Sequence, residues 1–126
     1  MSQSTRDFER SAVAGEALTA KQFYIVQLDA TGKIEVAEGA TDLVVGVLQN
    51  APDTGEQATY RFLGTTKVIA GGTIAIGDWV TTDSSGKAVA TTTDGNITIG
   101  RYIGTAAAAD GDIIEVQMSV QHLYIA

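Results

Sequence analysis

The chain has 126 residues, with 15 acidic and 8 basic side chains and a net charge of −7, enough for one domain rather than two. It has no cysteine and one histidine, His122, which excludes disulfides, thiolate metal sites, cysteine nucleophiles and any site needing two imidazoles from one subunit. An acidic surface repels nucleic acid and anionic lipid, and no apolar run approaches the roughly 20 residues of a membrane helix, so neither is an expected partner.

Residues 1–13 carry no sustained period. The charges of Arg6, Asp7, Glu9 and Arg10 cancel, and Phe8 and Val13 are the only sizeable apolar groups after Met1. The start has no hydrophobic core of a leader peptide, so no secretory signal is expected. A flexible N-terminal arm is the expectation for 1–13, with a short packed helix as the alternative. Arg6, Phe8 and Arg10 are its candidate partner-binding residues. Two arginines around one aromatic ring suit a segment that orders on a neighbour's carbonyls, carboxylates and apolar pockets.

From residue 22 onward the apolar pattern has period two, broken by turn residues. Phe23–Leu28, Ile34–Ala37, Leu43–Leu48, Ala58–Leu63 and Thr66–Ala70 read as strands. So do Trp79–Thr82, Ala88–Thr91, Ile97–Ile103, Ile113–Val120 and Leu123–Ile125. Ile114, Val116, Met118 and Val120 alternate cleanly with Glu115, Gln117, Ser119 and Gln121, giving one core face and one wet face. The best helix signal, Ala14–Lys21, is too short to stand alone. The fold class is all-β.

An internal repeat divides residues 14–126. Asp29-Ala30-Thr31-Gly32-Lys33 returns 54 residues later as Asp83-Ser84-Ser85-Gly86-Lys87. At the same spacing Val26 falls on Val80, and Val45-Gly46 on Ile99-Gly100. At a spacing of 56, Ala14-Gly15 falls on Ala70-Gly71 and Gly55-Glu56 on Gly111-Asp112. The expectation is a single β domain, a compact sandwich or tulip-like barrel, built from similar halves over about 14–69 and 70–120. Gly32, Gly86, Gly55 and Gly111 are its structural turn positions, where a positive φ is cheap for glycine.

Catalytic chemistry finds little purchase. His122 sits among apolar neighbours with no nucleophile elbow in the chain, and Gly32-Lys33 and Gly86-Lys87 lack the rest of a phosphate-binding loop. Asp29, Asp42, Asp53, Asp83, Asp94 and Asp110 all fall in expected turns, where Asp supports the local backbone. Asp110-Gly111-Asp112 with Asp78 could form only a weak oxygen-ligand site. No enzyme activity, cofactor or metal is therefore expected. Trp79 is most simply an anchor of the core between the halves, with an interface anchor as the sharper alternative.

Ala70-Gly71-Gly72-Thr73-Ile74-Ala75-Ile76-Gly77-Asp78-Trp79-Val80, then Ser85-Gly86-Lys87-Ala88, resembles the signature stretch of tailed-bacteriophage capsid decoration (capsid cement) proteins. Ile99-Gly100-Arg101-Tyr102-Ile103 and Gly111-Asp112-Ile113-Ile114-Glu115-Val116 continue it, and the first half is similar more loosely. The resemblance spans about residues 14–120. It implies a structural virion protein on the outer surface of an expanded head, binding the major capsid protein as a homotrimer at three-fold and quasi-three-fold sites. Alternatives are a head-fibre base, a tail-associated β module, or a carbohydrate-binding virion domain.

Overall fold

The computed structural model describes residues 8–39, 43–93 and 95–122. The first five strands are β1 (Glu9–Val13), β2 (Ile25–Leu28), β3 (Ile34–Val36), β4 (Val44–Leu48) and β5 (Gln57–Arg61). The second five are β6 (Leu63–Ile69), β7 (Trp79–Thr82), β8 (Ala88–Ala90), β9 (Ile97–Tyr102) and β10 (Ile113–His122). They make two five-stranded antiparallel sheets, ordered β1-β5-β4-β2-β3 and β6-β10-β9-β7-β8. Adding five to each label of the first order produces the second. The all-β class and the two similar halves are therefore both present, and no described residue is helical.

The duplication extends to single hydrogen bonds. Asp29 Oδ1 accepts the Thr31 and Lys33 amides at 2.8 and 3.0 Å, and Asp83 Oδ1 accepts those of Ser85 and Lys87 at 2.8 and 2.9 Å. Each turn then places its glycine in the left-handed region, Gly32 at φ 82° and Gly86 at φ 81°. Gly55 and Gly111 do the same at 86° and 89°, and donate to the carbonyls of Ala14 and Ala70. Parallel bridges join Ala14 to Ile34 and Ala70 to Ala88, so the chain leaving β1 reaches β3 and the chain leaving β6 reaches β8. These bridges close each sheet on itself, and the barrel character of each half follows from them.

Two expectations need correcting. Glu9–Val13 is a strand, not arm: β1 pairs antiparallel with β5, Glu9 opposite Arg61 through Val13 opposite Gln57. It lies at one end of the sheet order with its side chains half-buried or exposed, so its sequence never shows the alternation of a strand with one buried face. Its grip is instead polar, with Ser11 and Thr59 hydroxyls 3.0 Å apart and Arg61 Nε donating to Glu9 Oε2 at 3.0 Å. Secondly, the break between β5 and β6 is only Phe62, shorter than the sequence pattern suggests. Arg6 and the expected strand Leu123–Ile125 lie outside the described residues.

Phe23 is the one described non-glycine residue at positive φ, 70°. Its counterpart in the second half is Gly77, at 86°, and the two amides make equivalent bonds to the carbonyls of Leu48 and Tyr102. The repeat fixes the backbone here, and the first half accepts a strain of roughly 1–2 kcal/mol to carry an aromatic side chain.

The first half has its own core of Ala14, Leu18, Val26, Ile34, Leu48 and Ala58. The second half uses the matching positions Ala70, Ile74, Val80, Ala88, Tyr102 and Ile114, but its cluster also takes in Ile25, Ala37, Val44 and Val47 from the first half. Backbone bonds cross the same boundary, from the Ile25 amide to the Gly86 carbonyl at 2.8 Å and from the Ile69 amide to the Phe23 carbonyl at 3.1 Å. The second cluster therefore spans both halves, while the first half keeps a smaller core of its own.

The equivalent turn glycines sit in different surroundings. A Cβ on Gly32 would meet nothing within 4 Å, whereas on Gly86 it would run into Val36 and lie 3.1 Å from the Ile25 carbonyl. Gly32→Ala is expected to cost about 1–2 kcal/mol from left-handed strain alone. Gly86→Ala adds overpacking of about 1–3 kcal/mol. Urea unfolding of the two variants measures the difference; equal losses would mean that the Gly86 turn is not seated on the first half.

Candidate partner-binding surface

Asp42 and Asp94 lie outside the described residues, and several of the other carboxylates singled out in the sequence are taken up by their own turns. Asp78 Oδ2 accepts the Ala75 amide at 2.9 Å and Asp112 Oδ2 the Ala109 amide at 3.0 Å. Asp110 faces Lys87 at 3.9 Å. Among the described residues no group of three or more His, Asp or Glu side chains is placed to hold a metal ion. His122 pairs with Ile97 at the end of β10. No helix among the described residues is long and apolar enough to cross a membrane.

What remains is surface. Phe8 is 44% exposed, and its carbonyl accepts the Phe62 amide at 3.0 Å, which holds it at the start of β1. Arg10 is exposed on β1 opposite Tyr60. Arg10 thus stands on an ordered edge strand and Phe8 at its start, which presents them with less ordering entropy left to lose than a free arm would have. The Tyr60 and Phe62 rings lie 6.5 Å apart and tilted at 56°, both half-buried. Glu9 bridges to Arg61 beside them.

A second aromatic feature stands on the other half. Trp79 is half-buried and belongs to neither core cluster, so it does not anchor the core between the halves. The Arg101 guanidinium lies over its ring, 4.3 Å from the centroid. Trp79, Arg101, Gln117, Met118 and Ser119 line a cavity of about 190 Å³. A further cavity, of about 270 Å³, runs between the halves and is lined by Phe23, Gln49, Arg61, Thr66, Lys67 and Glu115 among others. There Gln49 Nε2 donates to the Thr66 hydroxyl at 2.8 Å. Half-buried Trp79 and Tyr60 beside exposed Phe8, Arg10 and Arg101 have the composition of a protein–protein contact. Of the residues proposed from the sequence to bind a partner, Phe8 and Arg10 are exposed and Arg6 lies outside the described residues. The sequence reading did not identify a second feature, the pairing of Arg101 with Trp79, which are neighbours only because β7 pairs with β9 in that register.

The Asp29 carboxyl lies below the ordinary carboxylate value, held there first by the Lys33 amide and then by the Thr31 hydroxyl and amide. A lowered folded value means that its stabilisation is complete above the ordinary carboxylate range and is lost as pH falls through the folded value. NMR titration of Asp29 should therefore place its midpoint below that of an unstructured Asp. A midpoint at or above the ordinary value would mean that the turn does not hold its three donors in solution.

The family model described as phage cement protein matches residues 10–118, across both halves. No curated protein matches the chain. Among solved structures, the base of the head fibre protein of bacteriophage phi29 is similar in fold, with a TM-score of 0.66 at 23% identity, covering 93% of this chain and 98% of that one. The chain belongs to the phage cement protein family.

Proposed function

From that membership we propose that the chain binds the outer surface of an expanded phage head and stabilises contacts between major capsid subunits. It acts there as a homotrimer at three-fold and quasi-three-fold positions, where a three-fold object meets a three-fold site. The observation that carries the reading is the family match over 10–118, which takes in β1 and both closed sheets rather than one shared motif. The physical character of the chain supports it. The glycine-turned body is rigid, its net charge of −7 favours solubility before assembly, and its exposed aromatic and arginine side chains suit protein contacts. The role is structural rather than enzymatic. Phe8 at the entry to β1 and Arg10 on it, with Arg6 preceding them, form the capsid-facing contact. A second reading, a head-fibre base, is favoured by the likeness to the phi29 protein and differs in having a further fibre attached.

Purified chain added to expanded, undecorated heads should bind them and raise their resistance to heat, and Phe8→Ala should weaken binding about tenfold, or roughly 1.4 kcal/mol. Because Phe8 precedes β1, this substitution leaves the sheet intact, whereas removing residues 2–12 would take away most of the strand. Absence of binding and of protection would overturn the reading. Normal affinity of Phe8→Ala would remove the β1 contact only.

A further inference from the structure

The two halves are alike, but the contact between them is one-sided. The first half receives: Ile25 donates its amide to the Gly86 carbonyl at 2.8 Å, and Val36 and Tyr24 close on the Gly86 turn. The second half inserts, through that turn and through Val68, Ile99, Val116 and Met118, all buried. Strand register assigns each of these positions a counterpart in the opposite half: Ile25 opposite Val47 answers to Trp79 opposite Arg101, and Leu48 opposite Tyr60 to Tyr102 opposite Val116.

The counterparts of the inserting surface are less covered. Gly32 is exposed with nothing within 4 Å of a would-be Cβ, while Gly86 is buried. Ala12, Val45, Tyr60 and Phe62 are only half-buried where Val68, Ile99, Val116 and Met118 are buried. The counterparts of the receiving surface are open too. Trp79 and Arg101 replace Ile25 and Val47, both fully buried, and they line the 190 Å³ cavity together with Gln117. In the first half Arg61, the counterpart of Gln117, already has a partner across the boundary, donating from Nη1 to the Thr65 carbonyl at 2.8 Å.

We infer that a second copy of this chain docks head to tail, its Gly32 turn and its Tyr60–Phe62 face seated on the Trp79–Arg101 surface. The contact repeats between chains the one that each chain makes within itself. The Trp79 amide takes the place of the Ile25 amide as donor to the Gly32 carbonyl of the incoming copy. Ala90 stands where Val36 does, which leaves that turn more room. The Asp29 and Asp83 turns share their hydrogen bonds, so the incoming turn has the shape that the intrachain contact already accepts. Because the two faces differ, the contact is heterologous, and copies add until a ring closes. The ring closes at three copies, six similar β units, and this size rests on the trimer reading above.

The chain has no native cysteine, which makes cross-linking clean. Gly32→Cys with Ala90→Cys in one chain places thiols at the counterparts of Gly86 and Val36, which touch within a chain, and a Cβ at Gly32 meets nothing within 4 Å in its own chain. Mild oxidation, in solution and on heads, should give a covalent ladder ending in a closed trimer, while an equal mixture of the two single variants should stop at dimers. Independently, Arg101→Glu and Phe62→Asp should each weaken self-association at least tenfold by sedimentation with an unchanged circular dichroism spectrum. Mixed together, they should form a heterodimer through the one intact contact. A trimer that keeps its mass in both variants and gives no ladder overturns this docking and leaves the trimer reading standing. A chain that is monomeric in solution and gives no ladder on heads overturns both.

Discussion

The joint between the halves centres on one close approach, the Gly86 carbonyl accepting the Ile25 amide, flanked by a second backbone bond from the Ile69 amide to the Phe23 carbonyl. The close approach exists because Gly86 has no side chain. Val36, Tyr24 and the Ile25 carbonyl surround the space that a Cβ would need, so only a bare turn approaches this closely. Around that contact Ile25, Ala37, Val44 and Val47 join the second half's core, which binds the two closed sheets to each other. Burying such aliphatic side chains is worth about 1.5–3 kcal/mol each, so the joint between the halves is a substantial share of a marginal total stability.

The duplication explains both what is conserved between the halves and what diverges. Turn chemistry is retained, down to the Asp side chain that accepts two turn amides and the glycine that follows in the left-handed region. Close strand approaches are retained as well: a Cβ on Gly46 would strike the Arg61 carbonyl and one on Gly100 the Gln117 carbonyl. Surfaces diverge. Phe23 stands on a backbone built for Gly77, Ile25 became or began as the counterpart of Trp79, and Val47 matches an exposed Arg101. A repeat fixes the frame, and partners select the side chains that the frame presents.

Much of this architecture was legible in the sequence because it is local. The Asp-x-x-Gly-Lys turns, the alternation along β10 and the two spacings of 54 and 56 each need only neighbouring residues, and two consistent spacings led to two equivalent sheets. β1 was not legible, since a half-buried edge strand held by Ser11–Thr59 and Glu9–Arg61 has no apolar period to read. The surface was harder still. Arg101 lies 22 residues from Trp79, and only the β7–β9 register brings its guanidinium over the indole. For the same reason Trp79 looked like a core anchor, when it occupies the counterpart of a core position that its own half leaves uncovered.

Native-state hydrogen exchange at the Ile25 amide tests the joint between the halves most directly. If the Gly86 contact unites them, Ile25 should exchange only through global unfolding, with the same free energy as the most protected core amides such as that of Val80. Exchange of Ile25 orders of magnitude faster than Val80 would show that the halves part without unfolding, and would contradict the account.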